Sequence, residues 1–286
     1  VDLGYRHLIV CHVNHCLRGK ESNGDAAFVQ RLAKKLNCTL DRVDADVAGY
    51  AAEQKLSLEV AARSLRLQYF AACAEEHGTS RVFLAHHADD QAETVLLNVL
   101  RGTGLAGLAG MQPEIEMSNG LHILRPMLNI RRGEIEAWAK QNRIRWREDS
   151  SNSEPVHTRN RIRLQALPSL NQAMERDVVP ALHRLATIAS REDECLAEFS
   201  DAALAAASSP DGDALDITVL SAEHDAIQHR VVLEWLRRLA VPGISSAHLE
   251  GVLGLLGSRT PARCNLPGGW QVRRKAKTLR LTRQDA

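Results

Sequence analysis

Aromatic side chains are scarce in this sequence: four Trp, three Tyr and four Phe among 286 residues. A nucleic-acid surface built from it has little on which to stack bases and must rely on charge. No apolar run is long enough to span a bilayer, and no secretory leader is visible. The cysteines (Cys11, Cys16, Cys38, Cys73, Cys195 and Cys264) include no Cys-x-x-Cys pair and none at zinc-finger spacing to a His. The simplest reading is a cytoplasmic protein with reduced thiols, Cys11 and Cys73 serving as small hydrophobes in apolar patterns. Net charge is nearly absent, with 36 basic against 35 acidic residues, so the total says nothing about partners. Internal repeats are lacking, and an Ala-rich stretch at Ala202–Ala207 is the main compositional bias. The chain opens at Val1 without a Met and is in a strand by Leu8, so we expect sequence upstream.

What the sequence does have is charge sorted by region. Ten Lys or Arg against five Asp or Glu lie between Arg125 and Arg163, and eight basic residues with no acidic one lie between Arg259 and Gln284. Such regions either follow a phosphate backbone or form solvated surface.

The first half alternates strand and helix. His7–Val13 and Arg81–His86 are short apolar runs read as strands, and Thr39–Ala45 alternates weakly as another. Between them, Ser22 with Asp25 resembles a capping box, Ser57 caps a longer helix stopped by Gly78, and Asp89 caps a helix ending at Gly102. Strands and helices in this rhythm predict a doubly wound parallel sheet whose ligand site lies at the strands' carboxyl ends. Those ends carry His12 and His15, Asp44 and Asp46, and His86 to Asp90. Beyond Pro126 the pattern is helical: Arg131–Asn142, a helix from about Asn160, and a long stretch over 172–208 broken at Pro180. Arg263–Thr282, split by Pro267-Gly-Gly269, reads as a small β-hairpin.

Ala92, Val95, Leu96, Val99 and Leu100 recur as a buried stripe, leaving Asp90, Glu93 and Thr94 on another face near a helix start. Two carboxylates three residues apart there either hold a metal or an ammonium, or merely complement the helix dipole. Arg63 and Arg66 share a face of the preceding helix; their planar forks suit phosphate, although solvated surface is the plainer reading. Arg159, Arg161 and Arg163 crowd about one turn, with the same two readings. Gly102-Thr-Gly104-Leu-Ala-Gly107 fits a dinucleotide fingerprint, but it follows a helix rather than a strand, so we read it as a helix stop and tight loop.

Six segments in order carry a family resemblance: His12-Val-Asn-His15-Cys-Leu-Arg18; Leu58-Glu-Val-Ala-Ala-Arg63; Leu84-Ala-His-His-Ala-Asp-Asp90-Gln-Ala-Glu93-Thr94; Arg101 to Leu108; Arg125-Pro-Met-Leu128; and Asp149-Ser-Ser-Asn152 with Arg159-Asn-Arg-Ile-Arg163. Together they resemble the N-type ATP pyrophosphatases (PP-loop proteins), and within them the tRNA(Ile)-lysidine synthases. The resemblance implies an α/β fold with a Rossmann-like doubly wound parallel sheet, its first strand missing, over residues 1–167. It implies a mainly helical tRNA-binding domain over 168–286.

The activity it implies is AMP-forming ligation of free L-lysine to the wobble cytidine of tRNA(Ile) with a CAU anticodon. ATP and Mg²⁺ would serve as cofactors, no membrane is involved, and a homodimer is compatible. By resemblance Asp90, Glu93 and Arg63 are catalytic, and Asp90 also holds metal. His12, His15, Arg63 and His87 line the nucleotide pocket, while Arg159, Arg161, Arg163, Arg273, Arg274 and Lys275 contact tRNA or phosphate. Two departures stand out. Cys16 occupies a position where the family usually has Gly, and the Ser-Gly-Gly-x-Asp-Ser loop expected upstream of His12 is absent. The alternatives are a non-catalytic tRNA-binding remnant, or a sister thiolating enzyme, against which the lack of Cys-x-x-Cys counts. If a first strand is missing, the strands at His7–Val13 and Arg81–His86 should not pair with each other.

Overall fold

The computed structural model describes residues 7–16, 19–148, 158–257 and 262–283. Arg18, Asp149 and Asn152 lie outside these described residues. The chain divides into two compact units: Val1–Gly102 with Gly110–Arg184, and Thr103–Ala109 with Leu185–Ala286.

In the first unit, β1 (Ile9–Asn14) and β2 (Thr39–Asp44) pair in parallel, with Cys11 opposite Asp41 and Asn14 opposite Asp44. Parallel neighbours need a crossover, here α1 (Lys20–Lys35). Its N-cap is Gly19, so Ser22 is not the cap but lies buried within the first turn, where Glu21 already complements the helix dipole. Cys16, just past β1, has φ +55, a left-handed conformation that favours glycine.

An unforeseen short helix follows, α2 (Val47–Gln54), capped by Asp46 through Gly49 N at 2.9 Å. Next, α3 (Leu58–Glu76) starts at Ser57 as expected and buries Ala61, Phe70, Cys73 and Ala74. The third strand, β3 (Arg81–Phe83), is half its expected length.

β3 pairs in parallel with β5 (His122–Leu124), which pairs antiparallel with the edge strand β4 (Glu114–Glu116). These last two escaped the sequence reading because three-residue strands carry too little periodicity to register. β1 and β3 belong to different sheets, as expected, and α3 packs across both through Phe70 and Ala74 with Cys11, Val82 and Ile123.

The remaining helices are α4 (Ala88–Leu100), α5 (Leu105–Leu108), α6 (Arg132–Gln141), α7 (Thr158–Arg161), α8 (Leu167–Ala173) and α9 (Val179–Ala207), with a π-helical turn at Ile162–Ala166 between α7 and α8. Pro180 does not break a helix. It occupies the first turn of α9, where a missing N–H costs nothing. Leu96 on α4 packs with Ile162, Leu167 and Val178, but Val99 and Leu100 of the expected stripe are exposed.

The second unit holds α10 (Ile217–Leu220), α11 (Asp225–Arg238), α12 (Ser246–Leu253) and a four-stranded antiparallel sheet. The sheet order is β6 (Ala214–Asp216), β9 (Thr278–Arg283), β8 (Trp270–Lys275), β7 (Arg263–Leu266). The expected hairpin is thus a full sheet; β6 was missed because only three residues pair, with Asp at its end. Its core joins Leu215, Leu220, Trp235, Leu236, Val272 and Leu279. Trp235 is 2% exposed, and its Nε1 donates to Gly212 O at 2.9 Å. Among the described residues no helix is long and apolar enough to cross a membrane.

Trp235→Ala removes this ring and strands the Gly212 carbonyl, and should cost about 3–5 kcal/mol in urea unfolding. Phe199→Ala, on the exposed surface, should shift the same curve by under about 0.5 kcal/mol.

Candidate active site

The strand β3 leads through His86 and His87 into α4, where burial is unusual. In the first two turns Ala88, Gln91 and Ala92 are buried, but so are Asp90 and Glu93, the latter only 1% exposed. A carboxylate so far from water is stable only with partners. The partners come from the end of the first basic region, Arg125–Arg163. Arg159 Nε donates to Glu93 Oε2 at 2.8 Å, and Arg163 Nε to Glu93 Oε1 at 2.5 Å. The Nη2 groups of both arginines converge on Asp90 Oδ1 at 3.1 and 3.2 Å.

Arg159 lies in α7 and Arg163 in the π-helical turn, an irregularity frequent at functional sites. Burial works against the charge of Arg163, but the bond to Glu93 and the charges of Glu93, Asp90 and Asp89 together outweigh it and raise its pKa. The other oxygen of Asp90 accepts from His87 N at 3.0 Å and faces His87 Nε2 at 3.3 Å. His87 in turn accepts from Asp90 N, closing a capping box. The cap of α4 is therefore His87, not Asp89, whose carboxylate is drawn away by Arg131 at 2.8 Å and by Arg132 N at 2.8 Å.

Beside this network lies an excess of positive charge. Arg125 Nε donates to His86 Nδ1 at 3.2 Å. Burial lowers the pKa of Arg66, and Arg63 and Arg159 lower it further. Burial and Arg63 do the same to Arg125. Burial, with Arg125, Arg159 and Arg66 against the opposing charge of Asp90, takes His86 down to about 4. The buried Nε of Arg66 has no hydrogen-bond partner. Four arginines around a neutral imidazole, one with an unpartnered buried N–H, fit an anion such as a polyphosphate.

A second feature adjoins the network. His87, Asp89, Glu93, Arg131, Arg163 and Asp177, with Leu167 and Val179, line a cavity of about 240 Å³. Arg131 bridges Asp89 and Asp177, the latter at 2.5 Å. Three carboxylates beside an apolar wall suit an aliphatic ammonium.

The other residues singled out in the sequence are dispersed. His12, on β1, has its pKa lowered by burial and Arg42, while Asp25 and Asp44 oppose this, so its surroundings are β1, β2 and α1 rather than α4. His15 lies just beyond β1. Arg63 is exposed on α3, one turn from Arg66. Arg161 turns to Thr158 Oγ1 at 3.0 Å and away from the network. Arg273, Arg274 and Lys275 are on β8 in the second unit; Arg274 donates to the Gly257 carbonyl. The sequence reading passed over Asp177 and Arg131 as ligand-facing groups; Asp89 stood in the strand-end cluster but was read as a cap, and Arg125 stood only within a quoted motif.

These features define an α/β domain with an arginine group suited to an anion. Residues 3–170 match the PP-loop domain family, and residues 215–280 match the TilS substrate binding domain. The chain is 35% identical over 264 residues to the tRNA(Ile)-lysidine synthase of Caldanaerobacter subterraneus subsp. tengcongensis, covering 91% of this chain and 56% of that protein. It is 32% identical over 284 residues to the Bacillus licheniformis tRNA(Ile)-lysidine synthase, covering 97% and 59%. It is 44% identical over 171 residues to that of Porphyromonas gingivalis W83, covering 60% and 37%. The chain spans little more than half the length of the first two relatives. In fold it is similar to the U34-tRNA thiolase NcsA from Methanococcus maripaludis with its 4Fe-4S cluster, at TM-score 0.51 and 13% identity over 66% of this chain and 63% of that one. The chain belongs to the PP-loop domain family.

An unfolded His takes its proton near pH 6.5, whereas His86 in the fold waits until about 4. Its contribution to stability is therefore complete above pH 6.5 and is lost as pH falls towards 4. Urea midpoints measured across this window should decline with acid, and His86→Gln should flatten that part of the curve.

Proposed function

We propose that the chain forms the main part of an ATP-dependent ligase joining free L-lysine to C2 of the wobble cytidine of tRNA(Ile) with a CAU anticodon. The observation that carries this reading is one network joining two complementary sites. Glu93 and Arg163 line the carboxylate cavity, while Asp90 and Arg159 act on His86 within the arginine group.

ATP would transfer its adenylyl group to the cytidine C2 oxygen with release of pyrophosphate, so that this oxygen can later leave as part of AMP. Arg63, Arg66 and Arg125 would take its phosphates, and Arg159 would turn towards the charge developing as AMP departs. The lysine ammonium would rest among Asp89, Glu93 and Asp177, with its methylenes on Leu167 and Val179. For Asp90 to hold a metal it would have to release Arg159 and Arg163 from Oδ1 or His87 N from Oδ2, just as Asp89, Glu93 and Asp177 would exchange arginine bonds for the ammonium. The division of labour we favour puts catalysis in residues 1–167, with Asp177 and Val179 completing the cavity, and tRNA binding in the rest of 168–286, in the cytoplasm.

Register supports the second role. Arg263 lies opposite Arg273, and Arg273 opposite Arg280, so three arginines form one cross-strand row on β7, β8 and β9. Like charges directly opposed destabilise a sheet. Asp213 lies 3.4 Å from Arg280, and a phosphate backbone would suit the row as a whole. Arg274 has the opposite parity on β8 and does not belong to this row.

Labelled lysine incorporation into tRNA(Ile), measured with the whole gene product, tests the assignment. Asp90→Asn or Glu93→Gln should reduce kcat/KM at least about a hundredfold, since each leaves buried arginines without a counter-charge, while tRNA binding persists. Unchanged incorporation would remove the network from catalysis; wild-type tRNA binding without ATP-dependent incorporation would favour the non-catalytic remnant. For the row, Arg273→Ala should weaken tRNA binding and reduce the slope of log K against log salt by about 1.

A further inference from the structure

We infer that Cys11, Asp41, Cys73 and His77 form a binding site for one thiophilic divalent cation of the Zn²⁺ type, apart from the network around Glu93. Cys11 and Asp41 are register partners on β1 and β2, so their side chains project from neighbouring strands on one face. Cys73 and His77 stand four residues apart on the last turns of α3 and share a helix face. The contacts show that these two faces meet. Cys11 Sγ is 2.9 Å from Cys73 Sγ, and His77 Nε2 is 3.0 Å from Asp41 Oδ2. Ligand atoms of Asp41, Cys73 and His77 all lie within 4.8 Å of one another.

The donor set is two thiols, an imidazole nitrogen and a carboxylate oxygen, all ligands that Zn²⁺ takes in tetrahedral geometry. With metal–sulfur bonds of ~2.3 Å and metal–nitrogen or metal–oxygen bonds of ~2.05 Å, the tetrahedral edges are ~3.8 Å between sulfurs and ~3.3 Å between nitrogen and oxygen. Loading would therefore open the two observed contacts by about 0.9 and 0.3 Å, with two thiol protons released to solvent.

Tyr69 OH donates to the other oxygen of Asp41, the kind of outer hydrogen bond that fixes a ligating carboxylate. Cys73 is buried, whereas the side chains of His77 and Asp41 keep 25% and 18% exposure, which leaves a route in. Cys11 and Asp41 sit mid-strand, not at the carboxyl ends where the ligand site belongs, and the four protein ligands fill a tetrahedron. The site is therefore structural, pinning the β1–β2 ladder to the end of α3.

The test is Co²⁺ titration of the chelator-stripped chain kept reduced with a phosphine, followed by Zn²⁺. One equivalent of Co²⁺ should give thiolate-to-cobalt charge-transfer absorption and the intense visible bands of a tetrahedral centre, both erased by Zn²⁺. Cys73→Ser or Cys11→Ser should remove roughly half or more of the charge-transfer intensity. His77→Asn, at the partly exposed helix end, should weaken binding at least about tenfold and abolish the rise in Tm that Zn²⁺ gives the parent chain. Cys38→Ser, outside the cluster, should change none of these. No charge-transfer band with the parent chain, or a band that survives Cys73→Ser at full intensity, overturns the proposal.

Discussion

Much of the first unit depends on keeping Glu93 ionised where water does not reach it. Burying an isolated carboxylate is far costlier than a whole domain's net stability, so partners had to be brought from distant sequence. Arg159 and Arg163 each give Glu93 one Nε donor and reach Asp90 with Nη2. Two negative and two positive side chains thus satisfy one another. Their geometry ties the first turns of α4 to α7 and the π-helical turn, while Leu96, Ile162 and Leu167 seal the apolar contact beside them.

That arrangement costs more than an apolar core of the same volume would, and such networks are weak as pure stabilisers. Its worth lies in what it holds poised. Arg159 is shared between the carboxylates and the group of Arg63, Arg66 and Arg125, where burial, with like charge added, depresses Arg66, Arg125 and His86. An anion entering the arginine group and a cation entering the cavity beside Glu93 would each loosen one half of the same set of pairs. Under the proposed function, this coupling would bring a phosphorylated group and an amine together.

Several elements were legible because their signals are local. Ser57 caps α3, Gly78 follows its end, and the parallel pairing of β1 with β2 across α1 came from periodicity alone. Other elements carried no local signal. β4, β5 and β6 are three residues each, and β3 stops at Phe83 although its apolar pattern runs on. His87 displaced Asp89 as the cap of α4 because Arg131, far along the chain, claimed the Asp89 carboxylate.

What the sequence by itself determined is the order of elements, the family, and the residue types at the site: the spacing of Asp90 and Glu93 and the crowding of Arg159, Arg161 and Arg163 are properties of one chain segment each. The tertiary structure alone decided which of these meet. It turned Arg159 and Arg163 onto the carboxylates and Arg161 away, and gave Arg66 and Arg125 a place beside His86. It also converted Cys11 and Cys73 from small hydrophobes into neighbours of Asp41 and His77. Spacing along one helix fixes direction around an axis, but a pair 62 or 70 residues apart is chosen by packing and by the cost of burying charge unpaired.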